Sequence, residues 1–246
     1  MSIKLKQVLK SGIKTLLASY GYFIARLDAS PHTMDGAFRS ILQRRHSFNT
    51  VIDVGASDGR WTDALMKYLP LCQYLLIEAQ PIHEKALRQF SNEHKNVQFI
   101  LSAAGETPGQ IYFDAGDPLG GQASYTPYAS ANIQVPVTTI DNEIQSRRLT
   151  GPYLIKLDTH GFEVPILKGA SRILIETEVI IMECYNFRIA PECLMFFEMC
   201  DYLKKFGFRC IDLVDPLYRP YDNTLWQMDF VFVKDNRPEF SYLGYR

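Results

Sequence analysis

The chain has 246 residues, 47% of them hydrophobic and 22% charged, with a formal net charge of −1 at pH 7. That is enough apolar material for one large α/β core, and too little net charge to draw nucleic acid by long-range attraction, so no nucleic-acid partner is expected. Five cysteines, Cys72, Cys184, Cys193, Cys200 and Cys210, are odd in number and form no C-x-x-C pair, which argues for a reducing, cytoplasmic setting over a disulfide framework or a zinc site.

Residues 1–27 place Lys4, Lys6, Lys10, Lys14 and Arg26 among Ile3, Leu5, Val8, Leu9, Ile13, Leu16 and Leu17, with no acid. The pattern predicts a basic amphipathic helix. Either it lies peripherally on the inner face of a membrane, or its apolar stripe packs on its own domain or on a second copy of the chain. Lysines interrupt every candidate apolar core, so it does not read as a secretory signal. No run approaches the ~18 apolar residues of a membrane span. A second helix is expected over 38–45.

Thr50–Val54 is an apolar run that reads as a buried strand, broken by Gly55-Ala56-Ser57-Asp58-Gly59. An amphipathic helix carrying Trp61, Leu65, Met66 and Leu69 follows, then a second apolar run over 74–77 that ends in Glu78. Strand, glycine turn, helix and strand make one βαβ unit. Glycines allow close approach of a ligand to the backbone, and the free N–H groups opening a helix favour an anionic group. An acid ending the second strand can accept both hydroxyls of a ribose. Nicotinamide dinucleotides and S-adenosylmethionine both fit. A dinucleotide fingerprint starting at Gly55 would want glycines where this chain has Ser57 and Arg60, which weakens that choice. Asp53 stands just before the turn, in reach of a methionine ammonium directly or through water.

Pro81 opens a helix running to about Glu93, and a third strand over 96–101 ends in Ser102-Ala103-Ala104-Gly105. Those small residues leave room for a flat adenine ring, or form a plain tight turn. Two strands, 110–114 and 133–137, flank a stretch of turn formers over 116–125 that reads as a substrate-binding element or a surface loop. Thr139 caps a short helix over 140–147. A further strand over 152–157 ends at Asp158 and turns through His160, Gly161 and Glu163 into a helix reaching Gly169. Another, over 179–182, ends at Glu183. A helix over 192–206, stopped by Gly207, precedes two closing strands, 208–214 and 229–233. Asp53, Glu78, Asp158 and Glu183 are then strand-end acids on one rim, where ligands of open α/β sheets bind.

The motifs Asp53-Val-Gly55-Ala-Ser-Asp58-Gly59, Ile77-Glu78-Ala79-Gln80-Pro81, Lys156-Leu157-Asp158-Thr-His160-Gly161-Phe-Glu163 with Leu167-Lys168-Gly169-Ala170, and Met182-Glu183 together resemble the FkbM family of S-adenosylmethionine-dependent methyltransferases. The likeness covers residues 48–235, between a helical extension (1–47) and a tail (236–246). It implies a class I methyltransferase fold, a Rossmann-like, doubly wound seven-stranded sheet, and O-methylation of hydroxyls on sugars, glycans or natural products. By position, Asp53, Gly55 and Gly59 are similar to the methionine-end site and Glu78 to the ribose acid; Ser57 in the same turn, and Ser102 and Ala103 after the third strand, are further candidate cofactor-binding residues from the local reading. The family often has Glu or Gln where this chain has His160, so a role for His160 is a local inference.

Methyl transfer to an alcohol needs the hydroxyl aligned and its proton accepted. His160, expected neutral near pH 7, is the candidate base; Asp158 holds substrate, orients His160 or binds a metal ion. The bland alternative makes both helix caps. Glu163 is expected to support the turn by accepting backbone hydrogens, whereas Glu183 and Tyr125 are candidate acceptor-binding residues. A divalent metal is compatible with Asp158 and Glu183, but no ligand spacing demands one. A small-molecule or glycan acceptor is the expected partner. A non-catalytic nucleotide-binding scaffold and an RNA methyltransferase are the competing readings, the latter wanting a basic aromatic face that Tyr125, Tyr128, Arg147 and Arg148 do not provide.

Overall fold

A computed structural model describes Ile13, Leu17, Ser19, residues 33–129 and residues 132–245. The expected helix over 1–27 therefore lies outside the described residues, apart from those three helical positions. Helix α1 (Met34–Gln43) is capped by Thr33, whose hydroxyl accepts from the Gly36 N–H at 3.1 Å, and starts four residues earlier than its apolar pattern suggests. Strand β1 (Thr50–Val54), helix α2 (Arg60–Met66) and strand β2 (Gln73–Glu78) form the expected βαβ unit. After a 3-10 turn at Pro81–His83 come helix α3 (Glu84–Glu93) and strand β3 (Val97–Leu101).

Strands β4 (Ala103–Ala104), β5 (Gly109–Asp114), β6 (Gln122–Ser124) and β7 (Asn132–Thr138) make a separate four-stranded sheet in the order β4-β7-β5-β6. Only β5 and β7 were legible. Two- and three-residue strands carry no period-2 signal and exist because backbone partners, such as Phe113 opposite Ala123, lie alongside. Helix α4 (Ile140–Arg147) follows, with the Thr139 hydroxyl accepting from the Asn142 N–H at 3.1 Å.

Strand β8 (Tyr153–Leu157), helix α5 (Glu163–Lys168), strand β9 (Thr177–Tyr185), helix α6 (Phe196–Lys204) and strands β10 (Phe208–Tyr218) and β11 (Leu225–Lys234) complete the chain's main elements. Helix α6 begins four residues later than its sequence pattern. Glu198 reaches back to the Met195 N–H at 2.9 Å and is clasped by Arg188, holding residues 186–195 as a loop. The closing strands run beyond the expected 208–214 and 229–233, and their extra length is a hairpin whose tip exposes Leu217, Tyr218 and Tyr221.

The main sheet has the order β10-β11-β9-β8-β1-β2-β3. Neighbours from β3 through β9 are parallel, and β11 runs antiparallel to both β9 and β10. Counting only this sheet's strands along the chain, the order is 3-2-1-4-5-7-6. This is the class I methyltransferase fold expected from the motifs. Its inner strands are near-continuous apolar runs because both faces are covered. Alternate residues serve opposite cores: Ile52, Leu75 and Ile155 pack with α4, α5, α6 and the small sheet, while Val51, Leu76 and Leu154 pack with α1, α2 and α3.

Candidate active site at the carboxyl ends of the strands

A cavity of about 670 Å³ opens where β1, β2, β8 and β9 end. One end is built by the glycine turn and β2. Gly55 has φ +74°, and a Cβ placed there would sit 2.0 Å from the Asp158 carbonyl oxygen, so the β1 and β8 ends can pass this closely only with glycine. Glu78 accepts from the Ser57 N–H and the Gln80 N–H, both at 2.7 Å, and still lines the cavity beside Ser102 and Ala103. The Ser102 hydroxyl donates to the Pro136 carbonyl at 2.8 Å, so this residue shapes the wall with its hydroxyl already engaged.

Asp53 and Gly59 are placed differently from the sequence reading. Asp53 is 0% exposed and does not line the cavity; it sits behind the turn, where Thr62 donates to it at 2.7 Å and Lys156 Nζ lies 3.3 Å away. It therefore does not face an ammonium group of a ligand in the cavity directly. Burial pushes its carboxyl up, against the pull of Lys156. Lys156 also donates to the Gly55 carbonyl at 3.0 Å and stands 3.2 Å from Asp158 Oδ2. Burial opposes its charge, but the two carboxylates outweigh this and raise its pKa. One buried cation thus ties the β1 acid, the turn backbone and the β8 acid together. Gly59 faces Phe90 instead of the cavity.

The opposite end is polar. His160, at φ +51°, donates from Nε2 to the Leu119 carbonyl at 2.9 Å. Its Nδ1 lies 2.7 Å from the Tyr185 hydroxyl and 3.1 Å from Glu183 Oε2. Tyr185 and Gln227 each donate to the Glu183 carboxylate. Burial disfavours a charged His160, yet hydrogen bonding to Glu183 and the nearby Asp158 charge push its pKa up to about 9. The expected neutral ring is thus corrected to an imidazolium at pH 7. Burial raises the Asp158 carboxyl, but Lys156 and His160 outweigh it and hold the group below the ordinary carboxylate range. Neither Asp158 nor His160 caps α5: among the described residues the helix has no side-chain cap, and Glu163 accepts from the Gly161 N–H at 2.9 Å and the Thr159 hydroxyl at 3.1 Å, bracing the turn as anticipated.

Tyr125 does not reach the cavity. It is 58% exposed and tilts against Phe162, 5.4 Å between ring centres, and Phe162 lines the wall in its place. The sequence reading missed Tyr185, Trp226, Gln227 and Lys156. Tyr185 was detectable, since it stands two residues after Glu183 on one strand and shares its face. Gln227 comes into reach only through the β9–β11 register, which sets it opposite Tyr185.

With this geometry in view, the family model described as the methyltransferase FkbM domain matches residues 53–210. The chain belongs to this family of methyltransferases. No curated protein matches it. Similar solved structures include a precorrin-6y C5,15-methyltransferase from Geobacter metallireducens, 11% identical over 84% of this chain and 92% of that one, with a TM-score of 0.42. An rRNA methylase from Streptococcus thermophilus is 12% identical over 87% and 99%, with a TM-score of 0.46. The fibrillarin pre-rRNA processing protein of Methanococcus jannaschii is 15% identical over 76% and 66%, also with a TM-score of 0.46. No residue role follows from likenesses this remote. Among the described residues, no helix is long and apolar enough to cross a membrane.

Proposed function

We propose that the protein is a cytoplasmic S-adenosylmethionine-dependent O-methyltransferase acting on a hydroxyl of a sugar, glycan or natural product. The observation that supports this is a single cavity with a carboxylate suited to ribose at one end and a charged, hydrogen-bonded cluster at the other. The donor set fits the cofactor: Glu78 offers acceptor capacity to two hydroxyls, and Ser102 and Ala103 are small enough to flank a flat ring. When bound, S-adenosylmethionine supplies an electrophilic methyl group on a sulfonium.

The chain's own residues align the acceptor. Asp158, ionised at pH 7, accepts a hydrogen bond from the acceptor hydroxyl and draws off its proton. His160 helps keep that carboxylate ionised and holds Glu183 in place, while Glu183 binds a second hydroxyl of the acceptor. Phe162, Ile189 and Trp226 supply apolar wall that narrows the water-accessible space around the reacting centre.

Calorimetric titration with S-adenosylmethionine and, separately, with NAD tests the cofactor. Saturable binding of S-adenosylmethionine alone is expected, weakened about tenfold or more in Glu78→Gln through the loss of a charged hydrogen-bond acceptor. Absence of binding, or a preference for NAD, refutes the reading. Methyl incorporation into a panel of hydroxylated glycans and natural products, with RNA as the competing acceptor, tests the substrate class; label appearing only in RNA refutes it.

A further inference from the structure

We propose that Asp158, His160 and Glu183 form a binding site for a first-row divalent cation of the Mn²⁺ type at the acceptor end of the cavity. One ligand atom from each of the three lies within 4.8 Å of the others, and all three residues line the cavity. They come from the ends of β8 and β9 and the turn after β8, so the sheet itself positions the donor atoms.

The arrangement around the ring carries the inference furthest. A carbonyl oxygen can only accept, so the 2.9 Å contact with Leu119 requires a hydrogen on His160 Nε2. Nδ1 is then the nitrogen left to serve as a ligand, 3.1 Å from Glu183 Oε2 and 2.7 Å from the Tyr185 hydroxyl. A histidine whose far N–H is held by a backbone carbonyl is how proteins fix the tautomer and orientation of a metal ligand. Glu183 is steadied in the same way by Tyr185 and Gln227.

One imidazole nitrogen with two carboxylates suits Mn²⁺ better than Ca²⁺ or Mg²⁺, which take mostly oxygen ligands. Sites left open toward the cavity would take the acceptor hydroxyl and make its proton more acidic. Only this last role rests on the O-methyltransferase reading. Binding of the ion does not.

The test is titration of the chelator-treated full chain with Mn²⁺ in the absence of cofactor and acceptor. The free-ion electron paramagnetic resonance signal counts sites, and electron spin echo modulation detects a directly bonded imidazole nitrogen. Expected are one site per chain, ¹⁴N coupling in the wild type that disappears in His160→Gln, and affinity lowered roughly 10–100-fold in Tyr185→Phe, which keeps all three ligands. Asp222→Asn, in an exposed pair with Arg219, leaves affinity unchanged. No binding at millimolar Mn²⁺, or binding without nitrogen coupling in the wild type, overturns the proposal. The same result leaves the S-adenosylmethionine titration standing, so the two readings fail separately.

Discussion

Replacing Lys156 by methionine keeps an unbranched chain of similar length and removes its charge. In the folded protein this strands Asp53, which is wholly buried and whose one other side-chain partner among the described residues is Thr62 at 2.7 Å. It also frees Asp158, 3.2 Å from the ammonium, and the Gly55 carbonyl, 3.0 Å from it. Removing one partner of a buried ion pair costs about 3–5 kcal/mol because the remaining charge stays desolvated. For a chain of this size each kcal/mol moves the melting temperature by roughly 2–4 °C, so Lys156→Met is expected to melt some ~6–20 °C lower. Adding Asp53→Asn removes the stranded charge and restores part of the loss, with a coupling of about 0.5–3 kcal/mol in a double-mutant cycle followed by urea unfolding. A melting temperature within about 2 °C of wild type for Lys156→Met, or strictly additive effects, would refute the idea that this lysine bolts the turn to the sheet.

Gly55→Ala places a methyl 2.0 Å from the Asp158 carbonyl at φ +74°, and strain plus overpacking is expected to cost at least about 2 kcal/mol in urea unfolding. Glu78→Gln leaves one of the Ser57 and Gln80 N–H groups facing an amide donor, so it is expected to lose about 1–3 kcal/mol of stability as well as cofactor affinity, read by paired melting and calorimetry. Burial and then Arg237 push His46 down to about 4, below its unfolded value near 6.5. The unfolded chain therefore takes up the proton first: the contribution is complete above pH 6.5 and is lost as pH falls from 6.5 to 4, at up to about 1.4 kcal/mol per pH unit. His46→Leu, retaining an apolar neighbour for Phe48, is expected to flatten that limb of the stability profile; an unchanged acid limb contradicts the assignment.

The β1–β2 unit was legible because its information is local. A run such as 50–54 can be soluble only if buried on both faces, and the broken stretch Gly55 to Gly59 can only turn. The strand-end acids Glu78, Asp158 and Glu183 were legible for the same reason, since the end of a strand is visible where its apolar run stops. Their exposure was not. Asp53 differs from Glu78 in that its register partner on β8 is Lys156, roughly a hundred residues later in the chain, which captures it behind the turn. His160 was visible as a residue, but its charge depends on Glu183 and Tyr185 from β9 and on the Leu119 carbonyl from a distant loop. The small sheet behaves likewise, because β4 and β6 are strands only by virtue of their partners. Sequence by itself determined the strands, the glycine turn and the order of chemistry along the rim, since each follows from neighbours in the chain. Tertiary structure alone decided which acids face the cavity and which charge states they hold, because burial and Coulomb partners are set by strand register and loop packing between residues far apart in sequence.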